Sequence, residues 1–167
     1  MKIAVYAGSF DPITFGHLDV VSRAAAVFDR VVLAVLVNPL KAAPIFATDD
    51  RLKVIREALD ESCPPEVATR IEVESFDGLT VDFCRGRNAT FIVRGLRAIS
   101  DFESELQMAH TNRKLAPEID TVFFMTALEH SYLSSSLVKE IAAFGGDVEQ
   151  MVPPAVVRRL ASRRRGL

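Results

Sequence analysis

Residues 7–17 read AGSFDPITFGH, and their neighbours make the reading decisive. Before them, Lys2–Tyr6 is a short apolar run suited to a buried strand; after them, His17–Phe28 is rich in alanine and valine and suits a helix. A glycine just past a strand, an Asp-Pro turn signal and a Gly-His pair opening a helix make a strand–loop–helix unit. His17 is then expected near unpaired backbone N–H groups at the positive end of a helix dipole, which is a local anion site. The loop fits neither the GxGxxG dinucleotide fingerprint nor the GxxxxGK[ST] phosphate loop. A different phosphate chemistry is indicated.

The unit recurs along the chain. Val31–Val37, Ile71–Glu74, Thr90–Val93 and Thr121–Met125 read as further strands. The four longer apolar runs, Lys2–Tyr6 among them, are expected to be buried on both faces as in a parallel sheet, whereas Ile71–Glu74 alternates and belongs near an edge. Between the strands, Asp50–Leu59 puts Leu52, Ile55 and Leu59 on one helical face; Phe102, Leu106 and Ala109 recur at helical spacing, as do Leu137, Ile141 and Phe144. All these stretches read as crossover helices. The pattern predicts a Rossmann-like, doubly wound α/β fold with five parallel strands, whose ligands bind beyond the carboxyl ends of the strands. No repeat, low-complexity tract or linker interrupts the chain, so residues 1–167 read as one domain. Pro153 and Pro154 precede a final helix over Ala155–Arg163, and the terminal RRLASRRRGL reads as a solvated, frayed end rather than a phosphate-binding tail.

Composition narrows the class. With 167 residues, 49% of them hydrophobic, the chain can bury a substantial core. A formal net charge of -2 and a pI near 5.9 supply no global field for nucleic acid or an anionic membrane, so neither is expected as a partner. The first residues lack a signal-peptide core, and no apolar run approaches the roughly 18 residues of a membrane span, so a cytoplasmic location is expected. Cys63 and Cys84 lack metal or CxxC spacing and read as reduced structural thiols.

Two further segments leave strands with anion-suited residues. IVRGLRAISDFESELQ, residues 92–107, carries Arg94 and Arg97 around Gly95; LEHSYLSSSLVKE, residues 128–140, carries three serines ahead of a helical stretch. The arginines could simply pair with Asp101, Glu103 or Glu105 as weak surface ion pairs, and a helix cap needs only one serine. Three such loops behind three parallel strands nevertheless converge on one crevice in this topology, which helix capping alone does not require.

GSFDPITFGH, VRGLRAISDFESELQMAHTNR and SYLSSSLVKE, in this order and spacing, closely resemble bacterial phosphopantetheine adenylyltransferases over nearly the whole chain. The Thr14–His17 TxGH element and the serine-rich loop are also similar to signatures of the wider nucleotidyltransferase superfamily. The resemblance implies a nucleotidyltransferase domain that moves the AMP moiety of ATP to 4'-phosphopantetheine, giving dephospho-coenzyme A and pyrophosphate in coenzyme A biosynthesis. It implies Mg2+ accompanying ATP and held mainly by phosphates, with no metal ligands on the protein, as well as a homohexamer and binding of dephospho-coenzyme A and coenzyme A. Carried over by position, His17 is the transition-state stabiliser. ATP would be met by Ser9, Phe10, His17, Gly95, Leu96, Arg97, Glu105 and the run His130, Ser131, Tyr132, Leu133, Ser134, Ser135 and Ser136, with Glu105 at the ribose. The acceptor would be met by Ser9, Lys41, Thr80 and Arg94, the two cations facing its terminal phosphate.

This chain departs from the family pattern in places: Ser9 stands where threonine is frequent, Phe15 where asparagine is, Ala7 where proline is, and the stretch from Ala58 to Arg70 is long. Serine retains the hydroxyl that the chemistry uses. The competing expectations are a noncatalytic nucleotide sensor, an interaction protein acting through its arginine-rich end, and a nucleotidyltransferase with another acceptor, nicotinamide mononucleotide or a phosphoalcohol.

Overall fold

Five strands, β1 (Ile3–Gly8), β2 (Arg30–Leu36), β3 (Ile71–Phe76), β4 (Phe91–Leu96) and β5 (Asp120–Met125), pair in the order β3-β2-β1-β4-β5, every neighbour parallel. The structure, a computed structural model, describes residues 1–38, 44–97 and 99–164. From β1 the chain winds outward through β2 to β3, then returns to β4 on the other side of β1. The carboxyl ends of β1 and β4 therefore flank the switch point, where such sheets bind ligands.

Helix α1 (Phe15–Val27) joins β1 to β2, and α2 (Thr48–Ser62) with the short α3 (Pro65–Ala68) joins β2 to β3. Then α4 (Thr80–Gly86) joins β3 to β4, and α5 (Ile99–Leu115) joins β4 to β5. The sequence reading had no helix at α3 or α4; both are too short to show a helical stripe. It also took the Leu137–Phe144 stretch for a crossover. That stretch forms α6 (Ser135–Ala143), which follows the last strand, as does α7 (Pro154–Arg164), and Phe144 lies beyond α6 and is exposed.

The central strands are buried on both faces. Along β1, Ala4 and Tyr6 join one apolar cluster with α1, α2 and α7, while Val5 and Ala7 join another with Val81 and Cys84 of α4. β3 lies at one edge, as its alternation predicted. β5 corrects the expectation of burial on both faces: it is the other edge, most of its residues are only half-buried, and Met125 is exposed. An edge strand with aromatic and β-branched residues cannot be told from a central one by composition.

The buried face of α2 is Arg51, Val54, Ile55, Ala58 and Leu59; it includes the expected Ile55 and Leu59, with Leu52 only partly buried. Over its described residues helix α7 is also not the frayed end that its arginines suggested; residues 165–167 of that end lie outside the described residues. Ala155, Val156 and Leu160 enter the core, Arg158 pairs with Glu61, and Arg159 pairs with Asp50, so the helix is docked on α2. No helix among the described residues is long and apolar enough to cross a membrane.

Candidate active site

The loops behind β1, β2, β4 and β5 enclose a cavity of about 810 Å³ at the switch point. Its first wall is the opening motif. Phe10 takes a left-handed backbone with φ 44, uncommon for a residue with a side chain, and turns its ring back beneath the end of β1. There the ring meets Tyr6 and His17 edge-on, with centroids 5.3 and 5.1 Å away. Gly8 is glycine for this reason: a Cβ there would stand 3.0 Å from the ring of Phe10.

α1 starts at Phe15, so Thr14 is its N-cap and His17 sits in its first turn. The Thr14 backbone N–H donates to His17 Nδ1 at 3.0 Å, while the Thr14 hydroxyl accepts from the His17 backbone N–H at 3.4 Å. This reciprocal cap settles the imidazole's tautomer. A backbone N–H can only donate, so Nδ1 carries the lone pair and the ring proton is on Nε2. Burial disfavours the imidazolium, the Arg97 and Arg94 cations disfavour it further, and the pKa falls to about 3. His17 is a neutral hydrogen-bond donor at the cavity wall.

Asp11, read in the sequence as a turn residue, is buried and does more. Its carboxylate accepts the backbone N–H groups of Ile45 and Phe46 at 2.8 and 3.0 Å and faces Lys139 of α6 at 3.5 Å. One side chain therefore ties the β1 loop, the β2–α2 loop and α6 together.

The opposite wall belongs to β4 and β5. Arg94 donates through Nε and Nη2 to both oxygens of Glu105, at 2.7 and 2.5 Å, and through Nη1 to the carbonyl of Ala7 at 2.7 Å. Arg97 donates to Asp101 at 3.0 Å and to the Leu133 carbonyl at 2.7 Å. Two of the three carboxylates weighed from sequence are thus paired with these arginines, and both pairs line the cavity, the Arg94–Glu105 pair half-buried and the Arg97–Asp101 pair at its exposed side. Gly95 permits close packing of β4 on α1, since a Cβ would stand 3.0 Å from Val20. In the serine loop, Ser134 caps α6 by accepting from the Leu137 N–H at 3.1 Å, and Ser135 donates to the Pro12 carbonyl at 2.7 Å.

Of the residues expected at ATP, Ser9, Phe10, His17, Gly95, Arg97, Glu105 and Leu133–Ser136 line the cavity. Leu96, His130, Ser131 and Tyr132 stand outside that lining; Leu96 is buried in the sheet, and His130 stacks on Phe15 with centroids 6.0 Å apart. Of those expected at the acceptor, Ser9 and Arg94 line it, Thr80 at the start of α4 does not, and Lys41 lies outside the described residues. The sequence reading missed Asp11, Lys139 and Arg51 of α2, all on the lining. Arg51 had a signal: it falls in the i, i+3, i+4, i+7 stripe with Val54, Ile55 and Ala58, a position where a surface cation is not expected.

The described residues contain no group of three His, Cys, Asp or Glu side chains able to hold a metal ion. The cavity carboxylates Asp11, Asp101 and Glu105 are each committed to a cation. The two thiols lie elsewhere, and burial pushes Cys84 up to about 12, which leaves it unreactive.

The cytidylyltransferase-like family description matches residues 5–141. A phosphopantetheine adenylyltransferase of Heliobacterium modesticaldum is 52% identical over 98% of this chain and 93% of its own length, and one of Gloeobacter violaceus is 54% identical over 98% of each. The chain belongs to the phosphopantetheine adenylyltransferase family. Among solved structures, a Plasmodium falciparum nicotinic acid mononucleotide adenylyltransferase complexed with NaAD superposes with a TM-score of 0.76 at 15% identity, covering 97% of this chain and 95% of that one. A putative nicotinate-nucleotide adenylyltransferase of Vibrio parahaemolyticus gives 0.68 at 15% identity, covering 96% and 99%. These two show that this family member shares their Rossmann-like fold.

Proposed function

We propose that this protein transfers the AMP moiety of ATP to 4'-phosphopantetheine, releasing pyrophosphate and forming dephospho-coenzyme A in coenzyme A biosynthesis. The acceptor's terminal phosphate oxygen attacks the α-phosphorus, the bond from that phosphorus to the α,β-bridging oxygen breaks, and pyrophosphate leaves with the electron pair. The nucleophile is already an anion, so the protein need not activate one of its own. Its task is positioning and charge stabilisation.

The observation that carries this reading is the orientation of His17. Its lone pair is occupied by Thr14 N–H, leaving Nε2–H as a donor to phosphate oxygens as charge develops. A neutral donor serves at any ordinary pH and loses no proton in the reaction. Ser9 and the serine loop would add hydroxyl contacts, Arg97 would meet ATP, and Arg94 and Lys41 would meet the acceptor, with Glu105 near the ribose and against Arg94; Thr80, away from the cavity, is left out of the acceptor site. Mg2+ would arrive with ATP, held mainly by its phosphates, since the cavity carboxylates Asp11, Asp101 and Glu105 face cations of the protein. Cytoplasmic location, a homohexamer and binding of dephospho-coenzyme A and coenzyme A are proposed on family membership alone.

The test is pyrophosphate release from ATP with 4'-phosphopantetheine, nicotinate mononucleotide and nicotinamide mononucleotide as separate acceptors. Fast release with the first alone is expected. Release with either mononucleotide instead would move the protein to another acceptor class, and ATP binding without release would make it a sensor.

A further inference from the structure

Four cationic side chains among the described residues line the cavity: Arg51, Arg94, Arg97 and Lys139. Three have a carboxylate within ion-pair distance, namely Glu105 for Arg94, Asp101 for Arg97 and Asp11 for Lys139. Arg51 has none among the described residues. It is 5% exposed, donates from Nη1 to the Ser9 carbonyl at 2.8 Å and from Nη2 to the Thr48 hydroxyl at 3.1 Å, and its Nε is buried with no partner. A guanidinium offers five N–H donors, so most of its capacity is unspent.

Such an arrangement is costly unless something anionic completes it. A buried charge is ordinarily paired, and leaving it unpaired is among the more destabilising features a core can have. Two neutral oxygens compensate only part of a full charge. α2 places Arg51 on its apolar stripe, beside the core residues Val54 and Ile55, where a leucine or methionine would satisfy packing alone. A guanidinium kept there at the wall of a cavity points to an anionic ligand.

Its place in the fold selects which anion. Arg51 stands one turn into α2, directly behind the β2–α2 loop, on the wall formed with Asn38, Pro44 and Thr48. Arg97 and the serine loop, with Ser134 and Ser136, line a separate wall built by β4, β5 and α6. Both walls meet at Ser9, whose carbonyl Arg51 holds. We propose that Arg51 recognises the terminal phosphate of the acceptor: among the described residues it is the cation on that wall whose charge no protein carboxylate neutralises. This deepens the reading above and rests on it. Arg94, expected at the same phosphate, already shares its charge with Glu105; Arg51 supplies an undivided one.

The test compares wild type with Arg51→Met and Arg51→Lys, reading KM and kcat for 4'-phosphopantetheine and ATP and inhibition by pantetheine, which lacks the phosphate. Arg51→Met should raise KM for 4'-phosphopantetheine about tenfold or more, the scale for losing one charge-assisted contact, with KM for ATP within about twofold. Inhibition by pantetheine should not change. Lysine keeps the charge without the fork, so it should fall between the two. Equal losses for pantetheine and 4'-phosphopantetheine would reduce Arg51 to a support for Ser9; a loss confined to ATP would give it to the nucleotide; no loss would end the proposal. If Arg51→Met does not fold, an unchanged acceptor KM in Arg51→Lys overturns it equally. A wild type that does not turn over 4'-phosphopantetheine would refute the parent reading instead. In that case inorganic phosphate decides: it should raise the Tm of wild type and fail to raise that of a folded Arg51 variant, and equal protection of both would refute the anion site itself.

Discussion

The backbone N–H of Thr14 donates to Nδ1 of His17 at 3.0 Å, and this one bond fixes which nitrogen of the ring can face a substrate. The same pair of residues caps α1, so the start of the helix and the presentation of the imidazole are one structure. Replacing His17 with alanine should lower kcat by about 10²–10³, the scale for one preorganised donor, with KM values little changed. Stability should fall by only about 1 kcal/mol, because half of the capping box is lost. A folded variant with near-normal kcat would remove His17 from the chemistry.

The depressed pKa of His17 has a signed consequence for stability. The unfolded imidazole titrates near 6.5 and the folded one at about 3, so between these values the unfolded chain binds the extra proton. Stability is therefore unaffected by His17 above pH 6.5 and declines as pH falls from 6.5 towards 3. Urea unfolding at pH 7, 5 and 4 should show a smaller acid loss for His17→Gln than for wild type. Parallel losses in the two proteins would mean that the folded ring protonates normally.

Arg94 and Arg97 share a loop but hold different partners. Arg94→Ala should chiefly raise KM for the acceptor and Arg97→Ala chiefly KM for ATP, measured separately by turnover and calorimetry. Arg94→Ala should also cost about 1–3 kcal/mol of stability by stripping Glu105 of its bidentate partner. Adding Glu105→Gln should recover part of that stability without restoring acceptor binding. Identical profiles for the two arginine variants would assign both to structural support.

Gly8 and Phe10 make a steric prediction. A methyl group at position 8 would press on the Phe10 ring at 3.0 Å, and that ring lies edge-on to His17. Gly8→Ala should cost about 1–3 kcal/mol, the range for overpacking, and should lower kcat at least several-fold through the displaced imidazole. Thermal unfolding and kcat in the same preparation check both. Loss of stability with kcat intact would uncouple the two rings.

Much of the fold could be read without coordinates, since strand–loop–helix units have short-range signatures. The five strands, their parallel arrangement and the helices α1, α2, α5, α6 and α7 follow from apolar runs and spacing. The loops of the cavity follow too: GSFDPITFGH, the arginine loop and the serine loop do meet at the ends of β1, β4 and β5. The helices that escaped, α3 and α4, have four and seven residues, too few for a period of 3.6 to declare itself.

What the sequence determined by itself was the chemistry available at each strand end, because residue type and local spacing suffice for that. Only the tertiary structure decided how that chemistry is shared out. Glu105 lies eleven residues from Arg94 yet takes two of its donors, Lys139 reaches Asp11 across 128 residues, and the arginine at 51 turns inward while those at 158 and 159 pair on the outside of α2. Which cations are neutralised and which remain open to an anion depends on distances between segments remote in the chain. Local patterns constrain such distances only weakly; the packing of helices on a parallel sheet sets them.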